Sequence, residues 1–125
     1  MTIEAGLRGS VTIVVTAADT AVAMGSGAVE VLATPRVVAL CEEATCVALA
    51  GQLPDGWSSV GVRVELDHLR ATLMGGTVCA EAVLDEVDGR RLMFTVTAAD
   101  DKGPIAAGRV TRATVEVQRF MEKAR

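Results

Sequence analysis

The stretch TPRVVALCEEATCVALAG, Thr34 to Gly51, constrains the fold of this chain more than any other. It reads as one buried helix. Thr34 is a suitable N-cap, its hydroxyl able to accept from an otherwise unpaired N–H of the first turn, and Pro35 follows where its missing N–H costs nothing. Gly51 is a natural left-handed stop. At about 100° per residue, Val37, Val38, Cys41, Ala44, Thr45 and Ala48 form one stripe, with Thr34 on the same side. Glu43 falls nearly opposite and is expected in solvent. Glu42 lies on the edge of the stripe, between Val38 and Cys46, where a half-buried carboxylate costs free energy unless it is partnered or used.

The segments around this helix read as strands. Ser10–Thr16 is β-branched almost throughout and predicts a first strand. Ala17–Ala33, with Gly25-Ser26-Gly27 and few long side chains, reads as a loop holding at most one helical turn. After the helix, Pro54-Asp55-Gly56 signals a turn. Val60–His68 then alternates, with Val60, Val62, Val64, Leu66 and His68 on one parity, which predicts a half-buried strand ending on the chain's single histidine. A lone histidine there is more often a packed or edge residue than a catalyst, yet it is the one side chain whose ordinary titration falls near neutrality. Thr77–Val87, Arg90–Ala98 and Ile105–Gln118 predict three further strands, the first two joined by the hairpin signal Asp88-Gly89. Phe120–Arg125 reads as a frayed or helical tail.

At 125 residues the chain suits a single domain over 1–125, able to bury roughly two-thirds of the surface its unfolded form exposes. With one Trp and no Tyr, the core must be Val, Ala and Leu, which suits helix–sheet packing and argues against an aromatic nucleic-acid surface. A net charge of −4 argues against broad binding to nucleic acid or an anionic membrane. No apolar run is long enough to span a bilayer and the N-terminus is not of signal type, so a cytoplasmic protein is expected. Cys41, Cys46 and Cys79 lack ligand-like spacing, and buried free thiols are expected rather than a metal site or a disulfide.

The expected order is strand, long helix, then four antiparallel strands in a meander. One helix covers only one face of such a sheet, and a Val/Ala-rich sheet of this size needs more cover. A single five-stranded antiparallel sheet wrapped around its central helix, with further burial by self-association, satisfies both demands. This α+β arrangement is the hotdog fold, which only the position and burial of the helix favour over a cystatin-like curved sheet.

The runs LATPRVVALCEEATCVAL, GVRVELDHLRATLMGGTV and EVDGRRLMFTVTAADDKGPIAAGRVTRATV resemble the fluoroacetyl-CoA thioesterase-like branch of hotdog proteins. The resemblance covers roughly residues 10–120. The family places a Thr at the cap of the central helix, a Glu eight residues later and a His on the following strand; Thr34, Glu42 and His68 occupy those places. Gly61 corresponds to the family glycine on the same strand, and Arg112 to an arginine on the last strand. The resemblance implies an acyl-CoA thioesterase acting on a small or medium acyl-CoA, without a metal or a separate cofactor, coenzyme A being part of the substrate. It implies Glu42 as nucleophile or as the base that activates water, His68 as acid/base partner, and Thr34 as the group orienting the carboxylate or polarising the carbonyl. The Gly61 N–H would face the carbonyl, such a donor contributing about 3 kcal/mol, although a strand glycine is also the mark of a bulge. Arg112 would bind substrate, or simply pair with a nearby acid. The site is implied at the interface of a homodimer, or of a dimer of dimers.

Family members selective for fluoroacetyl-CoA carry an aromatic gate and a longer lid before the helix. Met24–Leu32 is short and has no aromatic residue, which predicts a more open pocket for another acyl group. Arg119, Lys123 and Arg125 are candidates by charge for the phosphates of coenzyme A, though solubility alone accounts for a basic tail. Two competing readings are a hotdog dehydratase, disfavoured because no His precedes Thr34, and a non-catalytic acyl-CoA-binding module. The second predicts Glu42 in a salt bridge or in solvent, with His68 turned away from it.

Overall fold

The computed structural model describes residues 2–125. Strand β1 (Arg8–Val14) leads through a 3-10 turn (Ala17–Asp19) and a one-turn helix α1 (Ala21–Met24) into the central helix α2 (Thr34–Leu49). Strands β2 (Trp57–His68), β3 (Thr77–Asp88), β4 (Arg91–Asp100) and β5 (Gly103–Glu116) follow, and the chain closes on helix α3 (Val117–Ala124). One antiparallel sheet of five strands results, in the order β1-β3-β4-β5-β2, and α2 touches every strand of it. No helix among the described residues is long and apolar enough to cross a membrane.

The expected four-strand meander is therefore corrected. Only β3, β4 and β5 run as consecutive neighbours; β2 lies outside β5 and β1 outside β3. The two tight turns explain the consecutive part. Gly89 takes a left-handed φ of 59° between the paired Asp88 and Arg91, and Asp100 pairs with Gly103 across the next turn. The link from β2 to β3 has no such turn residues at a two-residue spacing and crosses over instead.

Helix α2 buries Val37, Leu40, Cys41, Ala44, Thr45, Ala48 and Leu49. Val38 is only half-buried, Leu40 takes the inner place, and Glu43 is exposed as expected. The helix packs mainly on β1 and β3, where a β-carbon at Gly9 would run into the backbone of Ala44 and Ala48. Phe94, Leu84, Leu92, Ile105 and Val110 fill the space between helix and sheet, each stabilising the fold by about 2 kcal/mol through burial. The residue in the N-cap position is Ala33, with no side-chain bond; Thr34 is already helical, and the expected capping role is corrected. Gly51, at φ 76°, ends the helix as expected.

Strand β2 departs from simple alternation. Its pairing with β5 shifts between Gly61 and Arg63, leaving Val62 as the extra residue of a bulge and 47% exposed. Trp57, Ser59 and Gly61 oppose the inward side of β5 before the bulge, and Val64, Leu66 and His68 do so after it. The expected inward parity of Val60 and Val62 is thus reversed. The other edge of β2 has no partner strand among the described residues.

Candidate active site

Glu42 projects from the middle of α2 toward β2 and β5. Its Oε2 lies 3.4 Å from Nη1 of Arg112, whose side chain is itself only 8% exposed while that of Glu42 is 36% exposed. Arg112 is not free to follow the carboxylate. Its Nε donates to Ser59 Oγ at 2.9 Å and its Nη2 to the Ser59 carbonyl at 3.0 Å, so three bonds fix the planar guanidinium. Above the carboxylate sits Gly61, paired with Arg112 across the ladder; a β-carbon there would collide with Glu42 Oε2. The bulge at Val62 turns Gly61 inward, and the missing side chain makes room for the acid. Strand patterning alone places Gly61 on the wrong face and passes over Ser59, whose partnership with Arg112 follows once the bulge is known.

His68 ends β2, and its Nδ1 shares a hydrogen bond of 2.8 Å with Oγ1 of Thr34 in the first turn of α2. Its Nε2 is buried and has no partner among the described residues. The Thr34 hydroxyl that cannot cap the helix is thus used on the histidine. A cavity of about 290 Å³ opens beside the pair, lined in part by Ala21, Ser26, Val31, Leu32 and Leu69. No Phe, Trp or Tyr lines it. The segment after His68 is clamped to the β4–β5 turn: Arg70 Nη2 donates to Asp100 Oδ1 at 2.5 Å and Thr72 Oγ1 donates to Asp100 Oδ2 at 2.8 Å. Burial works against the Asp100 charge, but the Lys102 N–H, Thr72 and Arg70 outweigh it and hold the carboxyl below its ordinary 3.8. Sequence reading passes over this clamp, because its members are scattered.

The residues fall into two groups. Thr34 with His68, and Glu42 with Gly61 and Arg112, lie eight helical residues apart on α2, about 12 Å at the α-helical rise. No hydrogen bond joins Glu42 to Thr34 or His68 within the chain. Of the cysteines, Cys41 is buried, and burial pushes its thiol up to about 11, which makes it a packing group rather than a nucleophile. Cys46 is exposed and Cys79 half-buried, so the expectation of three buried thiols holds only for the first.

Comparison with known proteins agrees with this architecture. The family profile of the fluoroacetyl-CoA-specific thioesterase (FlK) matches residues 15–118. The fluoroacetyl-CoA thioesterase of Streptantibioticus cattleyicolor is 38% identical over 96 residues, spanning 77% of this chain and 69% of that protein. A solved structure of a fluoroacetyl-CoA thioesterase superimposes with a TM-score of 0.92 at 32% identity, covering 99% of this chain and 96% of that one. A Thermus thermophilus protein of the thioesterase superfamily gives 0.89 at 25% identity, covering 97% and 90%. The chain belongs to the fluoroacetyl-CoA-specific thioesterase family and is a thioester hydrolase of the hotdog fold.

Proposed function

We propose that this protein hydrolyses a small or medium acyl-CoA to the free acid and coenzyme A in the cytoplasm, at a site completed between two copies of the chain. The observation that carries the reading is the Glu42 carboxylate, fixed by Arg112 beneath Gly61 yet still open to solvent on one side. A carboxylate so held keeps its direction without reorganising as the reaction begins. It attacks the thioester carbonyl itself, or takes a proton from the attacking water; both routes end in the free acid and the thiol. The Gly61 N–H, re-aimed by the bulge, is the donor for the carbonyl oxygen. His68, oriented by Thr34, delivers the proton that the departing thiolate needs.

Reacting atoms must lie about 3–3.5 Å apart, and a separation of about 12 Å along α2 does not meet that demand within one chain. A two-fold dimer meets it. The long outer edge of β2 presents an unpaired ladder and the exposed Val62, and pairing of two such edges would set Glu42 of one protomer opposite the partner's Thr34 and the partner's His68. The cavity beside His68, lined by Val31, Leu32 and Leu69 beside the polar Thr34, His68 and Arg70 and without a Phe, Trp or Tyr gate, suits an acyl group larger than fluoroacetyl.

Thiol release from a panel of acyl-CoAs, with wild type and Glu42→Gln, tests the chemistry; no release by wild type, or equal rates, would sink it. Mixing Glu42→Gln with His68→Ala subunits tests the shared site. Half of the randomly mixed dimers then carry one intact site of two, so about a quarter of wild-type activity returns. A site contained in one chain would recover nothing.

A further inference from the structure

We propose that Arg63 and Glu65 form a self-complementary charge pair that sets the register in which the free edge of β2 docks on a second copy of the chain, with Val64 on the two-fold axis. This rests on the shared-site reading above and fixes which residues of the partner reach Glu42. Past the bulge, Val64, Leu66 and His68 lie on the inner side of β2, and Arg63, Glu65 and Asp67 on its exposed outer side. Arg63 Nη2 lies 3.0 Å from Glu65 Oε1, and both side chains are largely exposed. Within one chain such a surface pair contributes little to stability. On an edge with no partner strand among the described residues, it is a charge pattern presented to another strand.

Two-fold symmetry leaves few alignments. Side chains directly opposite one another in an antiparallel ladder share a face, so the axis passes through a residue and never between two. An axis at Arg63 sets Arg63 against the partner's Arg63. At Leu66 it sets Glu65 against the partner's Asp67, and at Asp67 it sets Asp67 against the partner's Asp67. At Glu65 it brings Arg63 to the partner's Asp67 but also Glu65 to the partner's Glu65. Only at Val64 does no charge face its like. Arg63 then meets the partner's Glu65, Glu65 meets the partner's Arg63, and with the pair inside each strand the alternating charges close a ring on the outer face. Opposite charges across a ladder stabilise it and like charges destabilise it. On the inner face Val64, already packed on the core, meets the partner's Val64. Beyond the bulge, facing side chains share a face only if Val62 is passed over toward the partner as it is toward β5. The partner's His68 then stands opposite Ser59, next to Gly61 on the inner face and beside the Arg112 that holds Glu42.

Chains carrying Arg63→Glu or Glu65→Arg test the pairing between subunits. Each alone sets like charges across the axis, so its dimer, followed by sedimentation on dilution, weakens on the order of tenfold or more. Mixed, the two assemble with each other about as tightly as wild type, although each still carries like charges side by side in its own strand. A role confined to one chain would not be restored by mixing. Cysteines read the register, in a Cys46→Ser background that removes the exposed thiol. Val64→Cys crosslinks to its own copy under mild oxidation, whereas Leu66→Cys, facing the partner's Gly61, does not. The proposal is overturned if wild type stays monomeric, if the mixture assembles no better than its components, if Val64→Cys gives no crosslink, or if Leu66→Cys crosslinks to itself. A crosslink only between Val64→Cys and Leu66→Cys chains overturns it in favour of an axis at Glu65. Tighter dimers of Arg63→Ser/Glu65→Ser than of wild type overturn it in favour of charges that keep the edge apart. Failure of the thioesterase reading is separate: a dimer with the Val64 crosslink that releases no thiol keeps this register and loses the catalysis, and turnover without that crosslink does the reverse.

Discussion

The two halves of the candidate active site are held in opposite ways. Around Glu42 every constraint comes from inside one chain: Arg112 is buried, Ser59 binds it twice, and Gly61 leaves room for one carboxylate position. Around His68 the constraints are looser. Thr34 is exposed, the second ring nitrogen has no partner among the described residues, and the chain beyond runs into a crossover held by Asp100 and by scattered backbone bonds to Ile105, Leu32 and Val15. The charged group is fixed against a buried arginine, where preorganisation lasts. The group that must move a proton hangs from a strand end, where it can meet a substrate and a second subunit.

Glu42→Gln breaks the comparison where its effect is largest. The amide keeps the shape and the contact with Arg112 but neither attacks nor takes a proton, so kcat falls by roughly 10²–10⁴. The melting temperature moves by only a few degrees, since the side chain is partly exposed and the pair with Arg112 is correspondingly screened. A variant as fast as wild type would leave Arg112 as the sole reason for this acid.

Gly61→Ala asks whether position or charge matters at that half. The added methyl must displace the Glu42 carboxylate, because the backbone of the paired strands cannot give way. A loss in kcat of roughly 10–100-fold is expected with the carboxylate still present, the scale on which small misplacements act. Unchanged kinetics would mean that Glu42 works from more than one position.

Thr34→Val against Thr34→Ser sharpens the other half. Serine keeps the hydroxyl on His68 Nδ1 and valine does not, so about a tenfold loss in kcat is expected for valine and little for serine. Stability separates this from a capping role. A lost N-cap costs about 1 kcal/mol, roughly 4 °C in a domain of this size. With Ala33 in the cap position, Thr34→Val should melt within about 1 °C of wild type, and a several-degree drop would restore the capping account.

Much of this was legible in the residues. Periodicity located α2 and put Glu42 at the margin of its buried stripe, because one face of a helix is a local property. Tight turns at Gly89 and before Gly103 located the β3–β4–β5 run for the same reason. The place of β2 was not legible: which edge a strand joins depends on the crossover, and nothing within Trp57–His68 encodes it. The bulge at Val62 hid the inner face of β2, since an alternating sequence looks the same with one residue inserted into its pairing. Thr34 shows the limit at a single side chain. Its composition fits a cap, and only the meeting of α2 with the end of β2 diverts the hydroxyl to His68.

The smallest expected effect is one of pH, and it divides the two halves by the kind of force that holds them. Asp100 is ionised in the clamp, its carboxyl held below 3.8 by the Lys102 N–H, Thr72 and Arg70 against the cost of burial. A carboxyl depressed in the folded state contributes stability above its unfolded value, and that contribution disappears as pH falls through the folded one. Stability from this group is therefore present at neutral pH and lost as pH drops below 3.8. The clamp ties Arg70 and Thr72, close behind His68, to the β4–β5 turn, whereas the core around Glu42 and α2 relies mainly on apolar packing. Acidification should loosen the His68 side first. Amide hydrogen exchange followed from pH 6 to pH 3, corrected for intrinsic rates, should show earlier loss of protection at 69–76 than in α2, and Asp100→Asn should show that loss already at pH 6. Equal loss in both regions would mean that acid acts on the fold as a whole and that the two halves share one support.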